Sequence, residues 1–114
     1  MNCNFDMTDY SIELIQGDYG SYLYHITNSD GSMLENVKSV IFTCAKLKIQ
    51  KTLTNIAESN YLLTLDSVTT QAFSPYTHTY DITILFNDDE TPYTVIHDAD
   101  FIILKKENVV NEQE

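Results

Sequence analysis

The run His97-Asp98-Ala99-Asp100 gathers an imidazole and two carboxylates within four residues. Ring nitrogen and carboxylate oxygen are the donor types that hold a divalent metal ion. Only one histidine is local, and no second His or Cys stands at zinc spacing. His97, Asp98 and Asp100 therefore form a weak candidate cation site, in a place where a polar turn between two strands is expected anyway. Asn87-Asp88-Asp89-Glu90 offers the oxygen ligands calcium prefers, without the spaced Asp-x-Asp-x-Asp-Gly order of a calcium loop. A solvated hairpin end is the expectation there. His25, His78 and His97 are the available general bases, with Ser67 or Cys44 as a nucleophile. Each histidine falls in or beside a strand candidate rather than on a loop next to a nucleophile. Three glycines in all leave no phosphate cradle and no nucleophile elbow. The residues predict no enzyme, no catalytic group and no cofactor.

Binding chemistry is the alternative. Tyr10, Tyr19, Tyr61 and Tyr76, read as exposed, could stack on sugars in the manner of a carbohydrate-binding module. The chain has eight tyrosines but no tryptophan, the usual sugar platform, and tyrosine is in any case a common strand residue. Seventeen acidic residues against six lysines give a net charge of −11, a field that repels a phosphate backbone. There is no arginine for bidentate contacts, so nucleic acid is not an expected partner. Lys46, Lys48 and Lys51 make one basic patch on this acidic chain. It suits an acidic neighbour or guards an exposed strand edge.

The elements that must position these groups are strands. From His78, a period of two puts His78, Tyr80, Ile82, Ile84 and Phe86 on one side and Thr79, Asp81 and Thr83 on the other. Asp81 points outward, in reach of a neighbouring turn. Residues 87–92 reverse the chain. Strands are predicted at 11–15, 21–27, 37–48, 52–57, 61–65, 78–86, 93–97 and 101–105. Gly17-Asp18-Tyr19-Gly20 supplies two positions tolerant of positive φ, and Asn28-Ser29-Asp30-Gly31 is a turn cluster. Residues 66–73 lack alternation and begin on Asp66, an N-cap type, which predicts one short helical turn stopped by Ser74-Pro75. The predicted fold class is all-β: an antiparallel two-sheet sandwich, immunoglobulin-like or related. Its core is drawn from Tyr22, Tyr24, Ile26, Val40, Phe42, Leu63, Leu65, Tyr80, Ile82 and Ile84.

The whole chain, 1–114, reads as one domain, with 1–9 and 106–114 as tails. Its 114 residues, 43% hydrophobic and 20% charged, suffice for a core without staples. Two cysteines make no disulfide framework; Cys3 sits in the lead-in and Cys44 in an apolar run, where a buried thiol is expected. No signal-like opening and no apolar run near ~20 residues is written here, so no membrane partner is expected.

The order of short motifs along this framework resembles a family. Gly17-Asp18 precedes a strand, and Thr27-Asn28-Ser29-Asp30-Gly31 leads to the apolar Val40-Ile41-Phe42-Thr43-Cys44. Leu63-Thr64-Leu65-Asp66 runs on to Thr70, then come Tyr80-Asp81-Ile82 and Thr94-Val95-Ile96. This order is similar to that of phage and prophage tail or baseplate β-sandwich proteins, resembling the N-terminal domain of the baseplate upper protein family, over about residues 12–104. His78 stands where that family favours tyrosine, and Asp98-Ala99-Asp100 replaces a glycine turn. The resemblance implies a non-enzymatic structural protein of the virion, present in the host cytoplasm before assembly. It implies a homo-oligomer with other virion or tail proteins as partners.

Overall fold

The computed structural model describes residues 3–5, as backbone, and residues 10–105. Nine strands and one short helix follow in the order β1 (Cys3–Phe5), β2 (Ile12–Ile15), β3 (Gly20–Asn28), β4 (Val37–Cys44), β5 (Ile49–Thr52), β6 (Thr54–Ala57), β7 (Asn60–Leu65), α1 (Ser67–Gln71), β8 (Tyr76–Phe86) and β9 (Asp89–Leu104). They build two sheets, β1-β3-β7-β6 and β2-β9-β8-β4-β5. All neighbours are antiparallel except β2 and β9, which run parallel. The all-β two-sheet architecture with one helical turn is the predicted one.

Alternation decides which side of each sheet faces the core. Tyr24 and Ile26 from β3, Leu63 and Leu65 from β7, Val40 and Phe42 from β4, and Tyr80, Ile82 and Ile84 from β8 are all buried. Phe42 stacks on Tyr80 with ring centroids 5.1 Å apart, and Phe101 meets Phe42 edge-on at 5.5 Å. Such offset and edge contacts add to the apolar area these rings remove from water. The Tyr24 and Tyr80 hydroxyls meet between the sheets at 2.8 Å, and the Tyr80 hydroxyl donates to the Tyr10 carbonyl at 2.5 Å. Burying two phenols is tolerable because each polar tip finds a partner.

Several expectations need correction. Tyr22 is only half-buried, at the end of β3, and Gly20 is there for space rather than for φ. A Cβ at Gly20 would stand 2.8 Å from the Tyr22 ring, whereas Gly17, at φ +88°, does need the left-handed region. The expected tail 1–9 contains β1, which pairs with an edge of β3 that would otherwise leave its backbone groups open. The remainder of that segment, and residues 106–114, lie outside the described residues. The expected strand 37–48 stops at Cys44, and residues 45–48 form a turn with Lys48 at φ +56°. Strand 52–57 is divided, because Leu53 drops into the core as the chain passes from β5 in one sheet to β6 in the other. The six-residue reversal at 87–92 shrinks to Asn87-Asp88.

The helix sits as expected. Asp66 accepts from the Thr69 N–H at 2.8 Å, satisfying one of the donors that a helix start leaves open. That bond, with the Thr69 hydroxyl beside it, holds the Asp66 carboxyl below its ordinary value. Thr70, fully buried, donates its hydroxyl to the Asp18 carbonyl at 2.7 Å, and the Gln16 amide reaches Phe73 at 2.8 Å. These bonds tie the helix to the β2–β3 turn.

Candidate functional site

The stretch expected to be a turn at residues 97–100 is the interior of β9, which runs unbroken past it. In place of a turn there is a bulge. Tyr80 is opposite Ala99 and Ile82 opposite Ile96, so His97 and Asp98 together face the single residue Asp81. Asp98 absorbs the extra residue at φ +55°, a conformation aspartate tolerates better than most. β8 is long enough to pair on both sides of the irregularity, and the ladder resumes beyond it rather than reversing.

A bulge re-aims the side chains it carries, and here two consecutive ones meet Asp81. The Asp81 carboxylate accepts the Asp98 N–H at 2.9 Å and lies 3.2 Å from His97 Nδ1. His97 Nε2 is 3.3 Å from the Asp98 carboxylate. One ligand atom from each of Asp81, His97 and Asp98 falls within a 4.8 Å circle. The structure thus corrects the candidate cation site: Asp100, opposite Thr79, stands outside this group, and Asp81 replaces it. Sixteen residues separate Asp81 from His97, and only the β8–β9 register closes that distance. Its outward direction was legible in the alternation; its partner was not.

One imidazole and two carboxylates make a three-donor set of the kind divalent cations accept. The set is open to water, with His97 71% and Asp98 65% exposed, so its internal ion pairs are screened and contribute little to folding. Both ring nitrogens of His97 already face carboxylates, Nδ1 that of Asp81 and Nε2 that of Asp98. The cluster is thereby satisfied within itself.

The other candidate residues are scattered. His25 lies on the outer side of β3 and contacts Asn60 at 3.0 Å. His78 Nε2 lies 2.9 Å from the Ser74 carbonyl, which fixes the ring against the loop before β8. Cys44 is fully buried, and burial pushes its thiol up, away from the reactive thiolate form. Asp89 acts in its own strand, accepting from the Tyr93 hydroxyl at 2.7 Å and the Thr91 N–H at 2.9 Å. Tyr93 chiefly, with Thr91, holds the Asp89 carboxyl low. Of the four tyrosines read as exposed, Tyr61 is buried and Tyr10 half-buried; Tyr19 and Tyr76 stay open. Lys105 covers the Tyr76 ring at 5.6 Å.

Sequence reasoning missed one concavity. A groove of about 320 Å³ opens where the chain crosses from β5 to β6, lined chiefly by Leu34, Val37, Val40, Leu53 and Tyr61. Leu53, an apolar residue between two threonines, was its only sequence trace. A second, shallower depression of about 330 Å³ runs along β9 from Val95 to Asp100, beside Tyr10 and Ser11. No protein-family model matches this chain, and no curated protein matches it.

Proposed function

We propose that this chain is a structural module of a phage or prophage tail or baseplate, working through protein–protein assembly rather than catalysis. The observation that carries this reading is the build of the two sheets. Each is an open sheet whose outermost strands pair on one side only among the described residues: β1 and β6 in one, β2 and β5 in the other. Open edges must be covered, charged or used for docking. A repeated particle can use one such surface many times over through symmetry.

The finer fold assignment is immunoglobulin-like. In that sandwich the first sheet holds strands A, B, E and D, and the second holds G, F, C and C′. The order β1-β3-β7-β6 against β9-β8-β4-β5 follows this plan, with β2 added beside β9. The inter-sheet contact of β3 with β8, a disulfide in antibody domains, is here the Tyr24–Tyr80 hydroxyl pair. Phe42 on β4 stacks on it, in the place where those domains use tryptophan. The motifs behind the family resemblance also fall where a sandwich needs them. Gly17-Asp18 turns β2 into β3, Asp66 caps α1, and Tyr80-Asp81-Ile82 supplies the centre of β8.

Two measurements test the reading. Light scattering on the full chain should give a mass above the monomer that rises with concentration. Mass spectrometry of purified particles from a strain carrying the gene should find the chain in many copies per particle. A protein that stays monomeric, is missing from particles and binds on a glycan array would instead be a carbohydrate-binding module.

A further inference from the structure

We propose that copies of this chain associate head to tail, the lysine-bearing β5 edge of one copy seating beside the acidic β9 edge of the next. The inference rests on the assembly reading and names the surfaces it would use. The five-stranded sheet runs β2-β9-β8-β4-β5, so β5 bounds one side. On the other side β2 covers only part of β9, pairing with Phe101 to Leu104. Among the described residues, the part of β9 before Phe101 pairs with β8 alone. This leaves a notch beside β9, above the start of β2, and the shallow depression along residues 95–100 lies in it.

Charge separates the two edges. The turn entering β5 carries Lys46 and Lys48, both exposed, and Lys51 follows on the strand. The notch carries Asp98 and Asp100, both exposed, with Glu13 exposed on β2 next to it. Lys46 also borders a small depression with Asp81 and Asp98 of its own chain, so Lys48 is the freer cation. For a chain of net charge −11, approach of a second copy is repulsive over most of its surface. A lysine turn meeting an aspartate notch is a place where it becomes attractive.

Height and direction agree as well. Cys44 is opposite Ile49, and Thr43 is opposite both Gln50 and Asp81, so the 45–48 turn stands just beyond the Asp81 rung. Asp100, opposite Thr79, lies just beyond the same rung on the other side of the sheet. A copy shifted sideways with little tilt therefore brings Lys48 level with Asp100. β9, β8, β4 and β5 alternate in direction, so β5 of the shifted copy runs antiparallel to the β9 it approaches. Such a contact joins unlike surfaces, and it grows into a ring or an open stack rather than a closed dimer.

The test uses two full-length double variants, Lys46→Glu/Lys48→Glu and Glu13→Lys/Asp100→Lys, with circular dichroism as the check on folding. Each spoils one edge and keeps the other, and they shift net charge in opposite directions. Each alone should be monomeric where the wild type associates, its apparent dissociation constant raised about tenfold or more. Mixed at equal concentration, they should associate again, since the two unaltered edges still fit and the two charge-reversed edges are complementary to each other. Double variants that associate like the wild type, or a mixture that stays monomeric, overturn the inference while leaving the assembly reading in place. A monomeric wild type overturns both.

Discussion

The hydroxyl relay between the sheets gives the sharpest expectation about stability. Each phenol has one hydrogen. The Tyr80 hydrogen goes to the Tyr10 carbonyl, so the Tyr24 hydroxyl must donate to Tyr80. Both rings are only 1% exposed. Tyr80→Phe strands the Tyr24 hydroxyl in the core and removes a donor from Tyr10. Tyr24→Phe leaves the Tyr80–Tyr10 bond intact and takes away one donor only. An unsatisfied buried polar group costs about 1–3 kcal/mol, while a typical bond is worth about 1 kcal/mol net. Tyr80→Phe should therefore cost about 2–3 kcal/mol and Tyr24→Phe about 1 kcal/mol, with Tm falling about 4 °C per kcal/mol for a domain of this size. Urea unfolding of both single variants and the double variant reads these values as a cycle. The double variant should be no less stable than Tyr80→Phe, since the second change removes the stranded hydroxyl. A Tyr24→Phe cost equal to that of Tyr80→Phe, or additive losses, would refute the relay. The same site gives a pH signature. Burial first, then the neighbouring Tyr80, raises the Tyr24 hydroxyl far above its ordinary value. A neutral folded phenol and an ionising unfolded one make stability level below about pH 10 and falling above it. The Tyr24 share of the slope should be up to about 1.4 kcal/mol per pH unit, and Tyr24→Phe should make the fall shallower, leaving the part from Tyr22, which burial also raises.

Four further outcomes follow. Asp66→Ala should lower Tm through loss of the α1 cap, and Asp66→Asn should lower it less, since an asparagine oxygen still accepts the Thr69 N–H. The lowered carboxyls of Asp30, Asp66 and Asp89, each held down by its own hydrogen bonds, contribute stability that is present above about pH 4. Acid titration should show that contribution disappearing as pH falls through their folded values, and Asp66→Asn should remove part of it. Lys48→Gly, read by urea unfolding at a concentration where the chain is monomeric, should stabilise by about 1 kcal/mol by relieving a left-handed residue. In a Cys3→Ser background, Cys44 should react with a thiol reagent only as fast as the domain unfolds, because the thiol is buried and pushed up.

Short-range chemistry was legible where a local rule acts alone. The β8 alternation read correctly from Tyr80 to Phe86 because one face of that strand is fully buried and a slip by one residue would expose all of it. The Asp66 cap read correctly because its partner is three residues away. Misreadings fell where a distant strand intervened. His97-Asp98-Ala99-Asp100 has turn composition, yet β8 supplies a continuous partner and converts the polar insertion into a bulge. Thr52-Leu53-Thr54 reads as one strand, yet Leu53 marks a change of sheet that alternation cannot signal. Tyr61 has the composition of a surface aromatic, and the pairing of β7 with β3 buries it.

The amino-acid order by itself determined the class of fold, the buried faces of β4 and β8, the position of the helical turn and the surplus of negative charge. These depend on periodicity and on neighbours a few residues away. The tertiary structure alone decided that Asp81 joins His97 and Asp98 while Asp100 does not. It also decided that lysines and aspartates bound opposite sides of one sheet at one height. Pairing register sets both, and register follows from burying all the faces together, a condition that no single segment carries.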